Sequence, residues 1–419
     1  MKFLWTLAAK NLFRNRLRSI VSIIAIAISV MVVVFARGLV TGFIDSTFSL
    51  YIKYDTGHIK VVNQEYRQKE RLFSLNYPVD GFNGEGLTSM IKKLEGVEGI
   101  EMAVPRIKFG AMASTDDDLI TMLGWGVDPA KESKFTGIEK QLVEGRMIRP
   151  GEKEILLGKG LLKKLNRQVG DKVTILYNTS FNSFKGATLR IAGVIESGMP
   201  LLNDTIFYLP LDIAQELLIM PDQATEVLLV TPNAKEAAAF YPGVKELFTA
   251  EGAEERYSVE PWNKANSVLE YMQVAIRIYD VIYVFLVLLA SIVVINTMVM
   301  IVKERTREIG MMTALGLQSR DILKLFIMEG TVMGITGSLL GAVLGGIVTR
   351  VLSVNGFDYS AIVSGMGDEF LMNPIIYPTF SVTHMIYGFL LGVIVTAVTC
   401  IIPARRAARL EPSEALREF

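Results

Sequence analysis

The sequence predicts an α+β membrane protein with four transmembrane helices and a large extracytoplasmic mixed α/β domain inserted between the first and the second. Three observations predict it. Apolar runs at 19–43, 279–302, 325–352 and 384–402 are each long enough to cross a bilayer. The stretch between the first two, 44–275, is polar and long enough for a folded domain of its own. The short segments differ in charge: 1–18, 303–324 and 403–419 are rich in Lys and Arg, whereas 353–381 carries Asp358, Asp368 and Glu369 and no basic residue. The positive-inside rule then places both termini and 303–324 in the cytoplasm, and the insertion outside.

Residues 1–18 read as a cytoplasmic interfacial amphipathic helix, with Leu4, Trp5, Leu7, Leu12 and Phe13 against Lys2, Lys10, Arg14, Arg16 and Arg18. A basic stretch before an apolar one also opens a signal peptide. The run from Ser19 is too long for a typical signal-peptide core and shows no convincing small-x-small cleavage site, so the reading is a retained span. Ser22, Ala25, Ser29 and Ala36 fall near one face and suit close helix packing. Arg37 is expected to reach the outer interface by snorkelling.

Within the insertion, Gly57–Asn63 reads as a strand, Leu87–Leu94 as a helix, and Gly96–Arg106 as a turn into a strand. Thr121–Pro129 is strand then turn, and Glu154–Asn166 is strand, glycine turn, helix. Two alternating runs joined by Asn178–Gly186 form a hairpin. Asp204–Leu218 is strand then helix, Ala224–Thr231 strand, and Lys235–Glu251 mostly helix. Phe181 and Phe184 lie at the hairpin turn; they either anchor a partner or fold back onto their own sheet.

In the third run Gly330, Gly334, Gly337, Gly341 and Gly345 recur at spacings that place them on one helical face, and Gly388 and Gly392 do the same in the fourth. Asn296 in the second run needs a helix partner or a cavity, packing being the plainer role. Pro403 closes the fourth run. Between the second and third runs, Lys303, Glu304, Arg305, Arg307 and Glu308 form a charged block. Beside it Ile309, Met312 and Leu315 make an apolar stripe. Gly316 suits a helix stop, and Ser319 with Asp321 suits the start of the next helix. Such a short amphipathic helix either rests at the headgroups or docks a protein.

Composition narrows function by exclusion. Lys+Arg and Asp+Glu both number 43, so bulk charge gives no case for nucleic acid. With one cysteine, Cys400, an intrachain disulfide is impossible, and the two histidines, His58 and His384, make no HExxH motif. No GxxxxGK[ST] loop cradles a phosphate and no nucleophile, base or metal-ligand constellation stands out. The chain reads as a non-catalytic membrane subunit, and ATP-driven work would need a separate subunit.

"KERTREIGMMTALG" followed by "SRDILKLFIMEG" resembles the signature of FtsX-like permease domains, as found in LolC/LolE and MacB-type ABC transporters. "AAKNLFRNRLRS" is similar to the family's start, and "PARRAARLEPSEALR" to its end. "TGHIKVVNQEYR" and "IAGVIESGMPLLNDTIFYLPLDIAQELL" resemble the periplasmic part of LolC/LolE-like members.

The resemblance implies a bacterial inner-membrane permease that works by mechanotransmission, without carrying substrate through the bilayer. It implies that 303–316, Gly310 included, is a coupling helix seated on a cytoplasmic ABC ATPase dimer that holds ATP and Mg. Ile309, Met312 and Leu315 would be its apolar contact. It implies a second permease, identical or paralogous, and an insertion with porter-like flanks and a β-rich middle at about 113–222. The cargo it implies is a lipoprotein or other lipid-anchored molecule, released toward the outer membrane, with a periplasmic carrier met at the Phe181 and Phe184 hairpin. Tyr279, Tyr283 and Phe285 are candidate cavity walls, which span packing explains equally well. MacB-like efflux and FtsX-like regulation of an extracytoplasmic hydrolase are the alternative functions.

Overall fold

A computed structural model describes residues 16–69, 73–114, 119–197, 200–314, 316–358 and 375–409. Most of the N-terminal amphipathic segment, most of the loop at 353–381, and the end of the C-terminal tail lie outside the described residues. The described chain falls into two compact units: residues 16–45, 272–358 and 375–409, and residues 46–271.

Among the described residues, four helices are long and apolar enough to cross a membrane: Ser19–Thr56, whose residues from 46 belong to the second unit, and Val274–Glu304, Ser319–Asn355 and Val382–Ala408. The glycines of the third helix divide between two neighbours. Gly337, Gly341 and Gly345 press on Ile23, Ile26, Ala27, Val30, Met31 and Val34 of the first helix, with the carbonyl of Ile23 2.9 Å from where a Cβ on Gly337 would sit. Gly330 and Gly334 meet Cys400 and Thr396 instead. A drift of the stripe around the helix lets one element serve two partners at backbone distance. Gly388 and Gly392 of the fourth helix close on Val34, Val30 and Ser338. The close approach of the third helix to the first uses Ile26, Ala27 and Val30, while Ser22 and Ala36 of the small-residue face meet the second helix, Ser22 at Thr297 and Ala36 beside Tyr283 and Val287.

Two further expectations are corrected. Arg37 finds its partners within the bundle: it pairs with Asp280 of the second helix and lies 3.9 Å from the ring centroid of Tyr387. A carboxylate and an aromatic face at that level supply what snorkelling would have supplied. Pro403 does not close the fourth run. The helix Val382–Thr399 breaks at Cys400 and a second one, Ile401–Ala408, begins there. Pro403 sits in its first turn, where a missing N–H costs no hydrogen bond.

The second unit is built on one ten-stranded sheet of order β10-β1-β9-β2-β3-β8-β5-β7-β4, with β6 pairing β2 and β7. The strands are β1 Ile59–Asn63, β2 Met102–Ser114, β3 Leu119–Val127, β4 Leu142–Gly145, β5 Glu154–Gly158, β6 Lys172–Asn178, β7 Phe184–Ile195, β8 Ile206–Pro210, β9 Glu226–Val230 and β10 Tyr257–Pro261. Neighbours are antiparallel except for β3 with β8 and β5 with β7. The flanks and the β-rich middle share this sheet because β2, at 13 residues, pairs with β9 at one end and with β6 at the other. Alternation along β2 sorts the two faces. Ala103, Ile107, Phe109 and Ala111 join a large apolar core with Met90, Leu94, Phe248 and Leu218 from three covering helices. Met102, Val104, Arg106 and Lys108 point the other way. Thr121–Pro129 ends in a helix rather than a turn: Asp128 caps Pro129–Thr136 by accepting from the N–H groups of Ala130 and Lys131.

His58 enters β1 beside the core. Its Nδ1 accepts from the N–H of Thr231 at 3.0 Å, which needs the neutral ring. Burial, the largest influence, holds the imidazole below its ordinary range. In that situation the unfolded chain binds the proton first, so stability is full above the unfolded value of about 6.5 and falls as pH drops below it. The protection factors of the β1 amides in the full-length protein, corrected for intrinsic exchange, should therefore fall as pH drops below about 6.5, and His58→Gln should flatten the dependence. An unchanged slope in the variant contradicts this account.

Candidate partner-docking helix and hairpin

The second membrane helix, Ser267–Glu304, stops at Arg305, and a short helix, Thr306–Ala314, follows. The stop is fixed by charge. Arg305 is buried; its Nε donates to Glu308 at 3.0 Å and its Nη1 to Glu329 of the third helix at 3.0 Å. Thr306 caps locally, its hydroxyl donating to the carbonyls of Lys303 and Val302. At the far end Gly316 adopts φ 96, a conformation open to glycine, and the N–H of Leu317 reaches the carbonyl of Met312. Gln318, not Ser319, is the N-cap of the next helix, and Asp321 lies in that helix's first turn.

Helical spacing then separates two faces. Ile309, 1 % exposed, and Gly310 are buried, Ile309 among Ile322, Phe326, Val302 and Ala404. Met312 is half-buried at the edge of that cluster, and Leu315 lies outside the described residues. The expected apolar stripe thus faces inward, because an amphipathic helix between two spans has its own bundle available as a partner. The outward face carries Lys303, Glu304, Arg307, Met311 and Ala314, with Met311 48 % exposed. Charge followed by one exposed thioether on a firmly seated helix suits a protein groove.

Of the four cavity candidates, Tyr279 and Tyr283 come together and Phe285 and Asn296 stand apart as exposed residues. Tyr283 is buried with Val33, Val287 and Val395, and Tyr279 stacks on it at 6.4 Å between centroids. Phe285 is exposed, and so is Asn296. One residue further on, Ser22 Oγ to Thr297 Oγ1 at 2.8 Å makes a polar tie between the first two spans, besides that of Arg37 with Asp280.

The β6–β7 hairpin turns over Thr179–Ser183, shorter than the spacing predicts, with Asn182 at φ 55. Its tip is held: Ser180 donates from N–H to the carbonyl of Leu218 and from its hydroxyl to that of Ile219, both at 3.0 Å. Phe181 and Phe184 are 72 % and 63 % exposed, so neither folds back onto the sheet. An open cavity of about 300 Å³ lies beside the turn, lined by Phe73, Leu75, Phe109, Asn178, Thr179 and Asn182 among others.

Sequence reasoning missed a buried charge set on the second sheet face. Arg106 and Glu132 form a two-point ion pair, at 3.0 and 2.7 Å, with both side chains fully buried. Burial, the largest single influence, opposes the Arg106 charge, but Glu132 together with Glu226 outweighs it and holds the guanidinium above its ordinary value. The signal was present in the alternation of "VPRIKFG", which places Arg106 and Lys108 on one face of a strand.

Removing one partner of a buried ion pair costs about 3–5 kcal/mol, while replacing both by apolar groups is often neutral. Glu329→Gln should thus lower the thermal midpoint of the full-length protein. Arg305→Met with Glu329→Leu should recover most of the loss. A double variant no better than the single one contradicts the pairing.

Two family models match the chain. One, described as FtsX-like permease C-terminal, covers residues 281–412. The other, described as MacB-like periplasmic core domain, covers residues 19–245, more than half of the chain. Among curated relatives, the lipoprotein-releasing system transmembrane protein LolC of Neisseria meningitidis is 21 % identical over 346 residues, covering 78 % of this chain and 81 % of LolC. The corresponding LolE of Haemophilus influenzae is 26 % identical over 343 residues, covering 78 % and 79 %. The macrolide export ATP-binding/permease protein MacB of Nitrobacter winogradskyi is 28 % identical over 309 residues, covering 73 % of this chain and 43 % of that longer protein.

Proposed function

This chain belongs to the FtsX-like permeases with a MacB-like periplasmic core domain, an ABC transporter permease of the LolC/LolE/MacB type, and from that premise we propose that it extracts lipoproteins from the bacterial inner membrane for transfer toward the outer membrane. The observation that carries the reading is similarity to lipoprotein-releasing proteins along more than three quarters of the chain, spans and inserted domain alike.

The chain contributes no chemistry of its own in this reading. A partner ABC ATPase dimer binds ATP with Mg and hydrolyses it. Both termini and the helix Thr306–Ala314 face the cytoplasm, in keeping with the basic short segments, and the inserted domain is periplasmic. The ATPase grips the outward face of that helix through Lys303, Glu304, Arg307 and Met311. Ile309, Gly310 and the Arg305 pair hold the helix rigidly to the bundle, so a push on it is passed on rather than absorbed. Lipid and a second permease copy or paralogue cover the exposed apolar flank with Phe285 and Asn296, where a lipid-anchored cargo would enter. The exposed Phe181 and Phe184 are offered to a periplasmic carrier.

Efflux of a small molecule or peptide is the second reading, favoured by the core-domain model and the MacB relative. Reconstitution decides between them. The full complex in liposomes should release a triacylated lipoprotein to a soluble acceptor when ATP is added. Export of a macrolide with no lipoprotein release would move the assignment to efflux. In the same complex Met311→Asp should cut ATPase co-purification about tenfold while leaving the thermal midpoint unchanged, because loss of one exposed interface anchor costs about 1–2 kcal/mol. Ile309→Asp should instead destabilise the protein itself. Full ATPase recovery with Met311→Asp contradicts the docking face.

A further inference from the structure

The first membrane helix runs past its apolar stretch to Tyr51 and closes in a single π-helical turn, Ile52–Thr56. Gly57, at φ 60, then bends the chain into β1. A helix end leaves carbonyls without intrahelical partners. Here Arg106 takes two of them, its Nη1 donating to Tyr54 at 3.0 Å and its Nη2 to Lys53 at 2.8 Å, while its remaining edge is held by Glu132.

Asp55, in the same turn, gathers more of the molecule. Its Oδ1 accepts from Lys60 of β1 at 3.4 Å and from Lys108 of β2 at 3.1 Å. Both ammonium groups are buried and share Glu226 of β9, at 3.2 and 2.9 Å. Two lysines and two carboxylates balance, and without Asp55 a buried positive charge would be left over. Asp55 has a second oxygen, and Oδ2 accepts from the side-chain amide of Asn266 at 2.7 Å. Asn266 immediately precedes the second membrane helix, Ser267–Glu304. One carboxylate therefore meets the end of the first helix, two strands of the sheet and the root of the second helix.

We infer that Asp55 is a positioning residue that clamps the extracytoplasmic ends of the first two membrane helices to the sheet, so that a movement of the helices displaces the inserted domain as one body. This rests on the mechanotransmission reading above. A simply solvated or stabilising carboxylate would need only the lysines; the Asn266 contact is what adds the second helix.

The test uses the full-length permease with its ATPase in nanodiscs, with and without ATP plus vanadate. Amide exchange is read over β1, β2 and β9, and ATP hydrolysis is measured in parallel. Asn266→Leu removes the tie and leaves the lysine pairs; Asp55→Asn weakens both. The wild type should show a nucleotide-dependent change in exchange. Both variants should hydrolyse ATP within about twofold of wild type yet lose that change by about fivefold or more, the range of an ordinary coupling energy. Should Asp55→Asn loosen the domain without nucleotide, Asn266→Leu decides. A full nucleotide response in Asn266→Leu overturns the clamp and leaves mechanotransmission standing. No response in the wild type overturns both.

Discussion

A helix that leaves a membrane and enters a folded domain must end, and its last carbonyls must find donors there. In this protein Arg106 supplies them, and much of the inserted domain follows from the consequence. A guanidinium buried to satisfy Lys53 and Tyr54 needs a counter-charge, which Glu132 provides from the helix Pro129–Thr136. That helix is set by its Asp128 cap at the end of β3. Trp125 of β3 lies 5.3 Å from the guanidinium, so the same strand also covers the charge. Lys60, Lys108, Glu226 and Asp55 extend the pattern across three strands. Breaking the fully buried Arg106–Glu132 pair leaves a charge that costs about 3–5 kcal/mol to strand, which makes the arrangement specific.

The same device recurs where the second membrane helix ends. Arg305 is buried between Glu308 and Glu329, and the chain restarts at once as Thr306–Ala314. Ile309 and Gly310 seat the inner side of that helix, leaving Lys303, Arg307 and Met311 outside. A loosely tethered amphipathic helix would dissipate a push in its own motion. One fixed by an ion pair and an apolar wedge transmits it. The permease family to which the chain belongs gives such rigidity a use.

Much of this was legible in the sequence. Apolar length announced the spans, alternation announced β6 and β7, and the segments of β1, β5, β8 and β9 also read as strands. What escaped it has physical causes. Amphipathicity shows that Thr306–Ala314 has an apolar side, but not whether its own bundle or a partner covers that side; Ile309 is covered from within. The spacing of the glycines shows close approach, but a drifting stripe meets two helices, as Gly334 and Gly341 do. A charged residue on a strand ordinarily signals solvent, so alternation put Arg106 and Lys108 on one face of β2 without showing that this face is buried. Arg37 finds Asp280 across 243 positions of chain, a pairing that no local pattern contains.

The most direct test of the central claim is a photo-reactive amino acid placed at Met311 in the full-length protein, activated in native membranes, with the cross-linked partner identified by mass spectrometry. The account predicts an ABC ATPase attached at that position. Attachment to lipid alone, or to a periplasmic protein, would contradict it.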